Sequence, residues 1–281
     1  MSKRRRPPDQ ALAILLGLCF LGCSTIRQAG DPPPAAAPLT HAGLDRVLRR
    51  FVDEEGRVDY RALKKDDADL QAYYAQVAAY SPDSHPDLFP ARADRLAYWI
   101  NAYNAAVLVN VLRHYPIAGV TQVKAPAPLF FMPERSGFFY FHRLLFGGRA
   151  LNLYNLEHDL IRARFADPRL HFALNCASAG CPRLPRRAFS ADGLDAELEG
   201  ETRRFLAEER NFRLDDAGRT VYLSALFDWY EEDFLAPLPP GSTVLDYIAP
   251  YLDGETAGRL RGATGYALHY LPYDWSLNDR R

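Results

Sequence analysis

Apolar and polar positions follow helical spacing over 45–51 and again over 62–80, with the turn residues Gly56 and Asp59 between the two runs. Ser81-Pro82 and His85-Pro86 then break the pattern. From 92 to 114 the chain is apolar on most sides and stops before Pro116. A helix that long with so little polar surface belongs at the centre of a domain. Asn101 and Asn104 lie inside it, three residues apart and therefore on one face, and an amide cannot be buried there without partners. Two roles are open to them: bonding loop carbonyls, or orienting a catalytic group or an oxyanion.

Further along, 138–142 and 144–151 read as a β-hairpin turned by Gly147-Gly148. Asn152 is placed to cap a helix over 153–165 that buries Leu153, Leu156 and Leu160. On it Glu157 and His158 are neighbours about 100° apart, so they do not face each other directly. After Asp167-Pro168, His171, Ala173 and Asn175 alternate with Phe172, Leu174 and Cys176, which predicts a strand ending at the Cys176 thiol. An amphipathic surface helix over 194–208, a short strand near 220–223 and a strand-like run over 273–278 follow. Helices around a small, mostly antiparallel sheet define an α+β fold, with 41–281 as a single globular domain.

The N-terminus sets the compartment. Lys3, Arg4, Arg5 and Arg6 precede an uncharged apolar run too short to span a bilayer comfortably, the pattern of a signal peptide over 1–22. It closes on Phe20-Leu21-Gly22-Cys23-Ser24, which resembles the lipobox of bacterial lipoproteins, whose Cys is diacylated and becomes the mature N-terminus. Cys23 is thus the expected lipid anchor. The Pro- and Ala-rich stretch up to residue 40 is the expected tether, and Ser24 beside the anchor suggests sorting to the outer membrane. An ordinary secretory signal would still export the chain. The expected localisation is the cell envelope, lipid-anchored in the periplasm.

Composition narrows the partners. The chain is 48 % apolar and 12 % aromatic, ample for a core, and its formal charge of −1 becomes more negative once the basic signal is removed. A mildly acidic mature protein argues against nucleic acid as its partner. No P-loop or nucleotide fingerprint occurs, so no cofactor is expected. Cys19 leaves with the signal and Cys23 takes lipid, so Cys176 and Cys181 are the thiols of the exported domain. In an oxidising compartment they are candidates for a disulfide worth about 2 kcal/mol by chain entropy.

Four phrases, YWINAYNA, LEHDLIR, HFALNCASAGCP and YDWSLN, occur in an order that resembles the family called domain of unknown function 547, over about residues 45–278. The resemblance implies a fold and a site, but no activity. Within these phrases Cys176 is the candidate nucleophile, with His158 and His171 as candidate bases. His171 falls on the opposite face of a regular strand from Cys176. Glu157, Asp274, Asn101 and Asn104 are candidates to orient an imidazole.

Such a site suits a Cys–His hydrolase or acyl transferase acting on a small-molecule or peptide substrate. Two alternatives stand beside it. One is a non-catalytic binding or structural protein of the envelope with a Cys176–Cys181 bridge, in which Glu157 pairs with Arg162 or Arg169. The other is a metal site from His158, His171, Cys176 and Cys181, although four residues between the cysteines is not the two-residue knuckle of common zinc sites. Arg183, Arg186 and Arg187, just past Cys181, are expected at the site mouth, where they would lower the thiol's pKa.

Overall fold

A computed structural model describes residues 39–129 and 132–280. The signal peptide, Cys23 and nearly all of the tether lie outside the described residues. The first helices are α1 (Ala42–Phe51), α2 (Tyr60–Lys65) and α3 (Ala68–Ala79). The single helix expected over 62–80 is therefore two. Asp59 opens α2 by accepting the Ala62 N–H at 2.8 Å, and the chain breaks at Asp66-Asp67, where Asp67 accepts from Gln71 Nε2 at 2.6 Å. Short acidic side chains that bond nearby groups favour such ends over a helix interior.

Helix α4 (Arg92–His114) runs through the centre, buried from Leu96 to Leu112. Asp94 accepts the Ala91 N–H at its start. Around it pack α1 to α3, a short helix α5 (Ser136–Tyr140), and a hairpin of β1 (Leu144–Phe146) and β2 (Arg149–Leu151). Gly147 and Gly148 turn the hairpin at φ +56° and +80°, values that favour glycine. The strand expected over 138–142 is largely α5. Its turn is set by the Ser136 N–H bonding Pro133 O, and Asn110 on α4 holds it by donating to Phe138 O at 3.2 Å.

The helix over 153–165, here α6, is present and capped by Asn152, which accepts the Asn155 N–H at 2.7 Å. Its middle, Leu156–Arg162, is wound as a π-helix, an irregularity that often accompanies functional sites. Leu153, Leu156 and Leu160 are buried as the spacing predicts.

The strand expected at 171–176 is absent. Pro168–Phe172 is a 3₁₀ turn opened by Asp167, whose carboxylate accepts the Arg169 N–H, and 173–182 is an irregular loop. The alternation misleads because the segment lies between two cores. Leu170, Ala173 and Leu174, at helical spacing, face the core around α4, while Phe172 faces a second core.

That second core is built by α7 (Leu194–Ala207), a three-stranded sheet and the helices α8 (Leu226–Trp229), α9 (Glu231–Leu235), α10 (Val244–Ile248) and α11 (Gly254–Gly262). The sheet order is β3 (Phe212–Asp215), β4 (Thr220–Ser224), β5 (Ala267–Leu271), antiparallel then parallel. Helix α7 joins the cores, with Leu194 and Leu198 in the first and Phe205 and Leu206 in the second. The final strand precedes the closing phrase, and 273–278 is irregular apart from a bridge between Ser178 and Leu277. The fold is α+β, with sheets of two and three strands. No described helix is long and apolar enough to cross a membrane.

Four histidines, His41, His114, His142 and His171, are folded in a form that acid disfavours, and the shift has a defined size at His41 and His142. Burial lowers His41, hydrogen-bonded to Tyr73 at 2.8 Å, to about 4, against an opposing pull from Asp45. Burial, His114 and Arg113 lower His142 to about 4, and it stacks on His114. A folded-state pKa below the unfolded value of about 6.5 gives stability that is complete above that pH and is lost as pH falls towards 4. The depressed carboxylates Asp233, Asp246, Asp253 and Asp274 weaken the fold only below their unfolded value near 4. Urea midpoints are therefore expected to fall between pH 6.5 and 4.5. The loss at pH 5 is on the order of 3 kcal/mol for the two histidines together, with His142 discounted for its partial exposure. His41→Gln and His142→Gln should flatten this slope, and a slope unchanged in the double variant would contradict the assignment.

Candidate functional site

The irregular loop over 173–182 cannot satisfy its buried backbone groups by a ladder, so side chains do it. From α4, Asn104 donates through Nδ2 to Ala173 O at 3.0 Å and accepts the Asn175 N–H at 2.9 Å. Asn175 repeats the device, donating to Pro182 O at 2.7 Å and accepting the Ala177 N–H at 2.9 Å. The closing phrase completes the frame: Ala179 N–H donates to Ser276 O, Gly180 N–H to Asp274 O, and Asn278 N–H to Ala177 O, at 2.7, 2.8 and 3.0 Å. A Cβ on Gly180 would lie 2.8 Å from Asp274 N, so only glycine fits there. Held in this way, Ala177 adopts φ +64°, a left-handed conformation that costs about 1 kcal/mol for a residue with a Cβ. It directly follows Cys176.

The two cysteines meet in this loop, unbridged, in different surroundings. Cys176 is half-buried, while Cys181 is only 4 % exposed. The Cys176 N–H donates to Cys181 Sγ at 2.9 Å, and Cys176 Sγ lies 3.1 Å from the Tyr273 hydroxyl and 3.4 Å from Ser178 Oγ. The Cys181 thiol's hydrogen bond, against the opposing effect of burial and with help from Ser178 and Tyr273, lowers Cys176 to about 7. Burial and the neighbouring Cys176 push Cys181 well above the ordinary thiol value. Burial and the thiols also raise Tyr273, which stays protonated at neutral pH. A cavity of about 790 Å³ lies beside the loop, with Asn175, Ser178, Cys181 and Tyr273 in its wall.

A second polar group lies at the seam of the cores. His171 Nε2 is 2.7 Å from Asp233 Oδ2, which also accepts from Arg162 Nε at 2.7 Å. Burial opposes ionisation of Asp233, yet the His171 and Arg162 bonds hold it well below the usual carboxylate range. Burial keeps His171 neutral, and its ring stacks on Tyr230 at 4.0 Å. His158 stacks on Tyr154, also at 4.0 Å. It accepts from Arg162 at Nδ1, so the neutral ring carries its proton on Nε2, which is 3.9 Å from Glu157 Oε1. The π-helical winding thus brings these two neighbours nearer than an α-helical angle suggests.

The structure places the remaining candidates as follows. Glu157 accepts from the hydroxyls of Tyr103 and Tyr230 at 3.0 and 3.3 Å. The pairing expected with Arg162 or Arg169 is replaced, because Arg162 bonds Asp233 and Arg169 bonds Asp167 and Asp195. Asn101 makes a two-way bond with Phe189, away from the thiols. Asp274 is exposed and accepts the Ser276 N–H at 2.9 Å. Arg183 pairs with Glu201 and Arg186 with Glu54. No cluster of three or more His, Cys, Asp or Glu is placed to hold a metal among the described residues. Sequence reasoning missed Tyr103, Tyr230, Tyr273 and Asp233. Tyr103 and Tyr273 stand inside quoted phrases and could have been found there, whereas Asp233 sits in an ordinary acidic run.

Fold and loop together define an α+β protein with a thiol pair pinned to its central helix. The family model described as "Protein of unknown function, DUF547" matches residues 88–206. The match runs from α4 into α7 and includes both cysteines, both site histidines, Glu157 and the two helix asparagines, while Asp274 falls outside it. No curated protein and no solved structure matches the chain.

Asn101→Ala and Asn104→Ala each leave a buried carbonyl and N–H unpaired and are expected to cost about 3 kcal/mol. Only Asn104→Ala should also change the alkylation rate of Cys176, because only Asn104 holds the thiol loop. Equal effects of both variants on alkylation would contradict this division of roles.

Proposed function

We propose that Cys176 is a catalytic nucleophile and that the protein is a thiol-dependent hydrolase or acyl transferase of the cell envelope, exported by its signal peptide and anchored through lipid on Cys23. One observation carries the reading: the half-buried Cys176 sulfur has the Cys181 thiol, the Ser178 hydroxyl and the Tyr273 hydroxyl around it, which lower its pKa to about 7, so that a substantial fraction is thiolate at neutral pH without a base. The thiolate attacks an ester or amide carbonyl carbon, the leaving group departs with a proton, and the thioester left on Cys176 passes its acyl group to water or another acceptor. His158, with its proton on Nε2, is proposed to donate a hydrogen bond to the leaving group, whose proton comes from solvent.

Iodoacetamide alkylation of Cys176 in the full chain should follow a titration near pH 7. At pH 6 it should exceed that of an ordinary thiol by about tenfold, the gain in thiolate being partly offset by lower intrinsic nucleophilicity. Tyr273→Phe should move the titration upward. Cys176→Ser should abolish turnover of acyl p-nitrophenyl esters, and His158→Ala should lower it while leaving the alkylation titration in place. An alkylation profile centred near pH 9 would remove the basis of this reading.

A further inference from the structure

Hydrolysis or acyl transfer needs one sulfur, yet the loop supplies two in contact. The Cys176 N–H donates to Cys181 Sγ at 2.9 Å, and the turn between them is closed by the Cys181 N–H bonding Ser178 O at 3.1 Å. Their burial differs: Cys176 is half-buried, whereas Cys181 is 4 % exposed and lines the cavity wall. No other described residue is a cysteine, so this pair has no competing thiol in the fold.

We propose that Cys176 and Cys181 are an attacking and a resolving thiol, and that the site performs thiol–disulfide exchange with small or peptide disulfides as a second activity. This rests on the reading of Cys176 as the reactive thiol. The Cys176 thiolate attacks one sulfur of a disulfide R–S–S–R′, forming a Cys176–S–S–R mixed disulfide and releasing R′ as a thiolate that takes up a proton. Cys181 then loses its proton and attacks the Cys176 sulfur. The Cys176–Cys181 disulfide forms, and R leaves as a thiolate that is protonated in turn. Two electrons pass from the protein dithiol to the substrate disulfide, and the two protons end on the product thiols. The reverse sequence oxidises a substrate dithiol. The environment fits this division: the sulfur stabilised as thiolate is also the better leaving group in the reverse direction, and the buried thiol stays protonated until the mixed disulfide is beside it.

The test uses the full chain equilibrated with defined ratios of reduced and oxidised glutathione, quenched with acid, with alkylation at Cys176 and Cys181 read by peptide mass spectrometry. The expected result is that both sites lose alkylation together as the oxidised fraction rises and regain it together in reduced glutathione. In Cys181→Ser, glutathione should accumulate on Cys176. In Cys176→Ser, Cys181 should react at least tenfold more slowly than Cys176 does in the wild type. The wild-type titration decides alone if a variant fails to fold. Glutathione on Cys176 with Cys181 still alkylatable overturns exchange and leaves the nucleophile reading intact. A bridge that survives millimolar reduced glutathione is structural and also overturns exchange. A Cys176 inert to glutathione and iodoacetamide alike overturns both proposals.

Discussion

The arrangement of this molecule depends on one amide. Asn104, buried in the central helix, makes both halves of a peptide-like hydrogen bond with the loop that carries the thiols. A loop that is neither helix nor strand has no internal means of satisfying a buried carbonyl and N–H, and each one left unpaired costs on the order of 1–3 kcal/mol. The helix supplies these partners from a rigid frame, so the loop's position is inherited from the best-packed element of the fold. Asn175 and the closing phrase extend the same device, and Ala177 is held in a left-handed conformation because its N–H and its carbonyl are both engaged.

What was legible in the sequence follows from how far each pattern is local. The central helix was readable to its ends because its apolar positions, its length and Pro116 all agree. The capped helix over 153–165 was readable from Asn152 and its leucines, but its π-helical middle was not, since the choice between i→i+4 and i→i+5 bonds depends on packing against α4 and Tyr230. The strand expected at 171–176 failed for a definite reason. Period-2 alternation implies one buried face, whereas here neighbouring residues enter two different cores, and the spacing of Leu170, Ala173 and Leu174 was the truer signal.

The candidate site was legible as a set of residues and not as a geometry. The phrases named the cysteines, the histidines, Glu157 and the helix asparagines, but their partners were mostly tyrosines and a carboxylate from distant segments. Tyr103 feels both groups, one through a hydrogen bond and the other through charge. Its hydroxyl bonds Glu157 and its ionisation is opposed by burial first, then by Glu157 and the thiols. A phenol kept neutral in this way is a fixed donor to the carboxylate, a role that no short motif would reveal.

The contrast between the two sulfurs shows how one loop of ten residues places one side-chain type in two environments. Both cysteines are largely removed from water, a condition that by itself raises a thiol's pKa. Cys176 escapes that outcome only because Cys181, Ser178 and Tyr273 supply hydrogen bonds that its charged form accepts. Cys181 meets the cost of burial with the neighbouring sulfur's charge added to it, and the Cys176 N–H and Tyr273 offset only part of that cost. The asymmetry therefore follows from position in the loop, and position is fixed by Asn104, Asn175, Gly180 and Asn278, none of which bears a charge. The difference between the two thiols depends on neutral amides and a glycine that hold the chain where its sulfurs meet different surroundings.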